Sequence, residues 1–587
     1  MGLAEVCFFL WIYFLATMPE YRLTKKQLII FCVPALFLLS LTISGMLAPS
    51  RNLAFWSSFE RGTGLIFLYH CLAFGLVVAS LVKVRGKTFA QKIYYAIFFS
   101  GIILAISALF NDTGGLAGNS SYTGAYLIFS FFIGGILLFV VRNVWRKILV
   151  SIGLIIILVI PFVIGARGAF GGLLAGILVA FFIYLALSGK KIIRVTGVTL
   201  LILSLVLTAF VGISLIQPTS RIHSEFEKAA GNSRFIFWKI ALEGIKERPL
   251  LGWGPENYSV VYAKYFDPTI LEPGEAREVS VDKPHNMVLE QFVSGGFIGG
   301  MLFLLFLILF FILPLYFYRK KIFSKMELAL FTGLFFAYFL QDLIIFDTVI
   351  TYMTLFVLFG IFTGTTLIFT QKEKIKTISG LKPIARTVHA IVCILLFIFS
   401  WIFFVHLPSK KAKGIYTLVS RKTAEKDFSV VASISPMGNG RDVGIIGERM
   451  VKSYQENIDT IKQDPRLIAQ AHTDINSFLT EADKLTEAAP NDYALWLACA
   501  QLESFDMTST GNFEDKAISR ALSYIDRARE LSPNDPRVYL VYGQIFAYQK
   551  EFAKAHDYLM KAYNLDPKIP VLKEYLDKFE KLFGTKL

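Results

Sequence analysis

The chain has few charged side chains and few cysteines. Of its 587 residues 18% are charged and 55% are hydrophobic, and only 5 are cysteine. Cys7, Cys32, Cys71 and Cys393 all lie inside apolar runs. So little charge excludes an ordinary cytosolic enzyme, and so much hydrophobicity excludes a disordered chain. Cysteines this few and this scattered predict neither a disulfide framework nor a zinc site.

Long apolar runs fill the first 406 residues. A bilayer core about 30 Å thick is crossed by a helix of about 20 apolar residues, and the sequence contains about twelve such runs. We therefore predict an all-α protein in which residues 1–406 form a polytopic membrane bundle of about 12 transmembrane helices. The runs lie near residues 3–17, 28–46, 63–82, 93–110, 123–141, 149–165, 170–187, 196–215, 288–316, 327–347, 349–369 and 388–406.

The basic side chains indicate the orientation of this bundle. One set of alternate short loops contains 22 Lys and Arg, and the short loops between them contain 3. The positive-inside rule assigns the first set to the cytoplasm. The net charge of +15 is thus a sign of topology, and we expect membrane lipid but no nucleic acid as a partner. The N-terminus, the long connection 217–287 and the chain from residue 407 onward are expected outside the cytoplasm. No small-residue cleavage pattern follows the first run, which predicts a retained helix.

Beyond residue 407 the composition becomes polar and rich in Ala, with helical periodicity. Residues 536–569 form a unit that resembles a tetratricopeptide repeat, with Gly543 and Ala555 at the places where small residues let paired helices approach. A preceding unit begins at Tyr493 if the residues around 506–513 are an inserted loop.

The resulting division is a helical connector over 407–480 and a repeat domain over 481–587, which we predict to be an extracytoplasmic α-solenoid. Such solenoids usually bind peptides or partner proteins; the alternative is a purely structural cap.

The connection 217–287 is far longer than the other loops, and loops above about 15 residues are usually functional. Asn232 and Ser233 predict a helix N-cap, and the helix is expected to end near Pro249. Its apolar residues recur at helical spacing and predict a stripe of Phe235, Trp238, Leu242 and Ile245 that rests on the bundle or on the membrane interface. Lys239, Glu243 and Lys246 are expected to face water.

Several polar residues stand out at the predicted outer level. Arg167 is the only basic residue of a tiny glycine-containing turn, and an arginine at the membrane boundary is costly without a partner. The alternative without a specific ligand is that the Arg167 side chain reaches the lipid headgroups. Gly118-Asn119-Ser120 precedes the fifth run, Gly252-Trp253-Gly254 forms a compact turn, and Pro284-His285-Asn286 precedes the ninth run.

This ordered set resembles the O-antigen ligase and polymerase superfamily, integral-membrane glycosyltransferases that use polyprenyl-pyrophosphate-linked glycans. The similar positions are Arg167, Asn232-Ser233-Arg234 with Trp238, Gly252-Trp253-Gly254, and Pro284-His285-Asn286 with Gly296 and Gly299. Gly118-Asn119 with Ala125-Tyr126-Leu127, and Ser58-Phe59-Glu60-Arg61, are similar to further parts of the family. The resemblance covers roughly residues 30–370.

The resemblance implies specific roles. Arg167 and Arg234 would hold the pyrophosphate, and His285 would act as the catalytic residue at the acceptor hydroxyl. Further substrate-binding candidates are Asn119, Trp238, Trp253, Asn286 and Glu290. The chain departs from the family at Ser294, where an acidic residue is frequent, with Glu290 one turn earlier. A bacterial cytoplasmic membrane is implied, with a glycolipid such as lipid A core, a protein or a growing glycan as acceptor.

The residue types suit this chemistry. Guanidinium groups stabilise a pyrophosphate leaving group bidentately. The external loops contain no Asp-x-Asp pair for Mg²⁺, so neither a metal nor a cofactor is expected. A histidine with an ordinary pKa of about 6.5 suits a general base. Attack opposite the lipid pyrophosphate would invert the anomeric centre.

Three alternatives remain open at this level. A polysaccharide polymerase of the same superfamily would use the same residues. A transporter or flippase of lipid-linked sugar predicts paired charges in the middle of helices and repeats between halves; Asp342 and Asp347 are the nearest candidates, although boundary polar groups are the simpler interpretation. A membrane-anchored scaffold would tolerate replacement of the loop 217–287. Gly295-Gly296 and Gly299-Gly300 are interpreted as a helix-packing face.

Overall fold

A computed structural model of the chain describes residues 2–110, 114–217, 219–222, 224–225, 233–273, 281–366, 383–420, 441–486 and 489–583. All regular elements within these residues are helices. Those of the first part are α1 Gly2–Thr17, α2 Lys25–Met46, α3 Arg51–Trp56, α4 Leu65–Arg85, α5 Lys87–Ser107, α6 Ser120–Val140, α7 Val144–Val163, α8 Arg167–Ala186, α9 Lys191–Ile216, α10 Ser233–Glu247, α11 Tyr258–Lys264, α12 Met287–Arg319, α13 Lys325–Asp342, α14 Val349–Thr365 and α15 Pro383–Ser400.

Nine of the described helices are long and apolar enough to cross a membrane, and α1 and α14 are shorter apolar helices. The chain is therefore a multi-pass membrane protein built as a helical bundle, as predicted. Each of the predicted apolar runs overlaps one helix. The number of crossing helices, about twelve from the sequence, stays a prediction.

Glycines set the closest approaches inside the bundle. A Cβ atom on Gly176 of α8 would lie 2.5 Å from the carbonyl oxygen of Gly333 in α13. A Cβ atom on Gly360 of α14 would lie 2.5 Å from the carbonyl oxygen of Gly75 in α4. The helix backbones meet only because these positions carry no side chain, which is the usual way that membrane helices gain packing contacts.

The two ends of the bundle differ. At one end basic residues cap neighbouring loops: Lys83 Nζ donates to the carbonyl oxygen of Arg22 at 2.5 Å, and Lys87 Nζ to that of Ile322 at 2.9 Å. At the other end Asn491 Nδ2 donates to the carbonyl oxygen of Pro49 at 3.0 Å. The C-terminal helices thus lie at the end opposite the basic loops. Which end faces the cytoplasm stays a prediction from the positive-inside rule.

The C-terminal helices are α16 Leu407–Ser420, α17 Arg441–Glu456, α18 Ile458–Gln463, α19 Pro465–Thr486, α20 Tyr493–Thr510, α21 Asp515–Leu531, α22 Pro536–Tyr548, α23 Phe552–Leu565 and α24 Pro570–Phe583, with a π-helical turn at Trp401–His406 before them. Consecutive helices pack in pairs, α20 with α21 and α22 with α23. Gly543 and the buried Ala555 lie at the second of these contacts. The assignment of these pairs to tetratricopeptide repeats, and to a solenoid, stays a prediction.

The predicted inserted loop at 506–513 is wrong for most of its length. Helix α20 continues to Thr510 and ends at Gly511, whose φ of +71° is a left-handed conformation that glycine adopts without strain. Met507 is buried against the neighbouring helices, so burial of its side chain extends the helix past the expected end.

Candidate active site at the end of the bundle

Helix α10 forms where the sequence predicted a helix, but it buries a different face. Its buried side chains include Phe237, Ile240 and Ala241. Of the predicted stripe, Phe235, Trp238 and Ile245 are half-buried and Leu242 is exposed. The neighbouring face is the buried one because Trp253 and Tyr258, the first residue of α11, pack against it. Contact of the predicted stripe with the membrane interface stays a prediction. Asn232, the predicted cap, lies outside the described residues.

The turn Gly252-Trp253-Gly254 supplies hydrogen-bond donors at a break in helix α12. Gly296 has a φ of +61°, which interrupts the helix. The carbonyl oxygens of Val293 and Ser294, which lose their helical donors there, accept hydrogen bonds from Trp253 N at 2.8 Å and Gly254 N at 2.9 Å. Unsatisfied backbone groups are expensive in a membrane, so this exchange stabilises the break.

Gly295 and Gly299 face Leu41 of α2, as a packing face requires, and Gly296 in addition interrupts α12. On the far side of the break Phe297 N donates to the carbonyl oxygen of Pro249 at 2.6 Å. A Cβ atom on Gly252 would lie 2.4 Å from the carbonyl oxygen of Val293, so the two segments approach only because Gly252 has no side chain.

Asp282 and Lys283 anchor the chain that leads into α12. Arg61 donates to Asp282 through two nitrogens, Nε to Oδ2 at 2.6 Å and Nη2 to Oδ1 at 3.0 Å. Lys283 Nζ lies 2.7 Å from Glu256 Oε1 and also contacts the carboxylate of Glu290. The consecutive residues Asp282 and Lys283 have opposite charges, are both buried, and each pairs with partners of its own.

His285 follows directly and is tightly held. Its Nδ1 lies 3.0 Å from the carbonyl oxygen of Lys283, and its ring packs between Phe237 at 5.5 Å and Phe346 at 5.1 Å between centroids. Its φ of +53° is unusual for a residue with a side chain. Such local strain is found where a side chain must point in one direction.

The surroundings keep this imidazole neutral. Burial lowers the pKa of His285 to about 4; Asp282 raises the pKa, and Arg234 and Arg61 lower it. Because a carbonyl oxygen can only accept, Nδ1 must carry the proton of the neutral ring. Nε2 therefore presents a lone pair, and it has no hydrogen-bond partner within the described part of the chain.

Arg234 and Trp238 lie one turn apart on α10, near His285. Burial is the only cause that lowers the pKa of Arg234, so no described carboxylate compensates its charge. The indole nitrogen of Trp238 is buried and lacks a hydrogen-bond partner among the described residues. Positions i and i+4 share a face of a helix, so these two donors, which have no partner among the described residues, lie on one side of α10.

Arg167 and Asn119 lie at the same end of the bundle. Arg167 is exposed at the first turn of α8. A Cβ atom on the next residue, Gly168, would lie 2.8 Å from Ile344, two residues before the Phe346 that packs on His285. Asn119 caps α6 by accepting a hydrogen bond from Ser121 N at 2.8 Å. Arg167 thus lies beside the α13–α14 connection that borders His285. A role for Asn119 in the site stays a prediction.

The other predicted substrate-binding residues have structural contacts of their own. Trp253 is 3% exposed and donates from Nε1 to the carbonyl oxygen of Gly244 at 2.9 Å. Asn286 caps α12 by accepting from Leu289 N at 3.0 Å. Glu290 is buried beside Lys283. A role for these three in binding substrate stays a prediction.

Sequence reasoning missed the charged network around this loop. Arg61, Asp282, Lys283 and Glu256 received no role, and Arg441 at the start of α17 was not considered although its Nη2 lies 3.8 Å from Asp282 Oδ1. The adjacent Asp282 and Lys283, directly before Pro284-His285, were a usable signal, because two charges beside a membrane run need partners. The partners themselves lie far away in the chain.

Part of the site lies in a segment that is similar to a known family. Residues 152–304 match the O-Antigen ligase family. This segment includes Arg167, Arg234, His285 and the broken part of α12. The match supports the resemblance to the O-antigen ligase superfamily and, at the family level, a membrane glycosyltransferase or ligase function.

A second similarity is to an uncharacterized protein of Haemophilus influenzae. The two chains are 29% identical over 171 residues, which are 27% of this chain and 40% of that protein. The chain thus spans less than half the length of this relative.

Proposed function

We propose that the protein transfers an oligo- or polysaccharide from a polyprenyl pyrophosphate to an acceptor at the outer face of the bacterial cytoplasmic membrane. The observation that carries the proposal is the immobilised imidazole of His285, which lies near enough to Arg234 for that guanidinium to lower its pKa. Arg234 itself has no ion pair among the described residues. A base beside an anion-binding group is what transfer from a pyrophosphate ester requires.

In this reaction His285 takes the proton of the acceptor hydroxyl through Nε2. The hydroxyl oxygen bonds to the anomeric carbon as the bond from that carbon to the pyrophosphate oxygen breaks. The lipid pyrophosphate leaves with the bonding electron pair. The fixed Nδ1 contact to Lys283 keeps the imidazole in the tautomer that accepts the proton.

Arg234 and Arg167 bind the pyrophosphate. Arg234 is half-buried without an ion pair among the described residues, and the cost of that burial is recovered when a doubly charged anion binds. Two parallel hydrogen bonds from a guanidinium fix the orientation of the anion. The unpaired indole nitrogen of Trp238 supplies a further donor on the same side of α10. Neither a metal ion nor a cofactor has a role in this scheme.

The test measures glycan transfer by the full chain in membranes, using a polyprenyl-pyrophosphate oligosaccharide as donor. His285→Ala is expected to lower kcat by about 10² to 10⁴-fold, and Arg234→Ala and Arg167→Ala by about 10² to 10³-fold. Arg466→Ala, on an exposed part of the C-terminal helices, serves as the control. Full activity in all three site variants would refute the assignment.

The acceptor is determined in the same assay. A lipid A core glycolipid, a protein and an unlinked copy of the glycan are supplied in turn. Product on the glycolipid or protein identifies a ligase, and elongation of the glycan identifies a polymerase. A transporter moves the donor without forming any new glycosidic bond.

A further inference from the structure

The first two residues of α17 contact the membrane part of the chain beside the candidate site. Arg441 Nη2 lies 3.8 Å from Asp282 Oδ1, and Asp442 Oδ2 accepts a hydrogen bond from Phe59 N at 2.8 Å. Both side chains are buried, at 6% and 4% exposure. These contacts join the C-terminal helices to two separate loops at the end of the bundle.

Asp282 is the centre of this arrangement. It receives Arg61 from the first loop and Arg441 from the C-terminal region. Burial alone would raise the pKa of Asp282, but Arg441 and Arg61 hold it well below its usual range. A buried carboxylate is stable in the charged form only with such partners, so both arginines contribute to the position of Asp282.

The position of Asp282 affects the position of His285 through the backbone. Asp282 and Lys283 are consecutive, and the carbonyl oxygen of Lys283 receives the Nδ1 hydrogen bond of His285. Arg61 also lies 5.0 Å over the ring of Phe346, the residue that packs on His285. A displacement of Asp282 would therefore reach the imidazole by two routes.

Further contacts hold the C-terminal helices against the same loop. Arg537 of α22 lies 5.3 Å over the ring of Phe266, and Lys568 Nζ lies 3.4 Å from Glu272 Oε1. Ala263 of α11 belongs to the hydrophobic core of the C-terminal helices. At these contacts the C-terminal helices therefore pack against the protein's own connection 217–287.

We propose that Arg441 and Asp442 are positioning residues for His285, so that the C-terminal helical region completes the catalytic site of the membrane bundle. The proposal rests on the proposed glycosyl transfer for its kinetic consequences, and on the contacts alone for its structural ones. Arg441 holds the loop before α12 through Asp282. Asp442 holds the first loop, which supplies Arg61.

The first experiment compares Arg441→Ala, Arg441→Lys and the control Arg449→Ala in the full chain. Arg449 is exposed on the same helix. We expect Arg441→Ala to lower kcat for transfer by about tenfold to a hundredfold with little change in the donor KM, because misplacing a base affects the reacting geometry. Arg441→Lys should recover part of the loss, and Arg449→Ala should match the wild type.

The pH profile separates positioning from a general loss of fold. Removing the guanidinium of Arg441 leaves the negative charge of Asp282 less compensated, while Arg234 and Arg61 remain near His285. The acidic limb of kcat/KM should therefore move to higher pH in Arg441→Ala and stay in place in Arg449→Ala. Asp442→Asn keeps an acceptor for Phe59 N and should retain activity that Asp442→Ala loses.

Hydrogen exchange provides a readout without activity. Amides of residues 281–289 should exchange faster in Arg441→Ala than in the wild type or in Arg449→Ala. If Arg441→Ala does not fold, the same comparison is made with Arg441→Lys and the two Asp442 variants.

Wild-type kcat and unchanged exchange in Arg441→Ala, while His285→Ala is inactive, would overturn the positioning role and leave the proposed function standing. A wild type that transfers no glycan would instead remove the proposed function. Faster exchange would then still support the structural link, and unchanged exchange would overturn it too.

Discussion

The carbonyl oxygen of Lys283 lies 3.0 Å from Nδ1 of His285, two residues further along the chain. The ammonium group of the same lysine contacts the carboxylates of Glu256 and Glu290. One residue therefore anchors the loop through its side chain and orients the imidazole through its backbone. Preorganisation of this kind places a base before the substrate arrives.

The pH dependence of transfer should reveal the environment of His285. A base acts in its neutral form, which predominates above its pKa. Because burial lowers the pKa of His285 to about 4, kcat/KM should stay constant as the pH falls from 7.5 to about 5.5 and decline only at more acidic pH. An ordinary histidine would already lose half of its neutral form near pH 6.5. A midpoint close to 6.5 in the wild type would contradict the buried environment.

Lys283→Met should destabilise the protein strongly. The substitution keeps a long side chain but leaves Glu256 and Glu290 as buried carboxyl groups without their cation. Breaking one partner of a buried ion pair lowers the free energy of unfolding by about 3 to 5 kcal/mol. The measurement is the thermal midpoint of the protein in detergent. Lys246→Met, at an exposed pair with Glu243, is the control and should change it little; equal effects would show that the buried network is dispensable.

Gly252→Ala should prevent the chain 249–254 from closing the break in α12. Its φ is +68°, and the added Cβ would lie 2.4 Å from the carbonyl oxygen of Val293. We expect a large fall in the yield of monodisperse protein, because the alternative exposes backbone groups inside the membrane. Gly171→Ala, where no atom lies within 4 Å of the added carbon, should behave as wild type. Normal yield from Gly252→Ala would mean that the break is not held by this turn.

Trp253→Phe distinguishes a structural from a substrate-binding role for Trp253. Losing the Nε1 hydrogen bond leaves the buried carbonyl oxygen of Gly244 without its donor, which costs about 1 to 3 kcal/mol of stability. We expect a lower thermal midpoint with an unchanged KM for the donor. A raised KM at an unchanged midpoint would instead support the binding role that the family resemblance implies.

Much of the bundle could be predicted, because apolar runs of membrane-spanning length are a local property of the chain. The helix 233–247 was also predictable from its spacing, yet its buried face was not. Phe237 and Ile240 face inward because the chain around Trp253 covers them. The sequence of α10 alone cannot show which distant segment will pack against it.

The sequence by itself determined the membrane-spanning character and the existence of the helices, and it supplied the residue types on which the proposed transfer depends. Only the tertiary structure decided that Arg61 and Arg441, 380 positions apart, meet at Asp282, and that a glycine turn closes a broken helix. The physical reason is that hydrophobicity acts on each segment separately, whereas a buried charge or a freed carbonyl oxygen is stable only beside a partner that the fold brings to it.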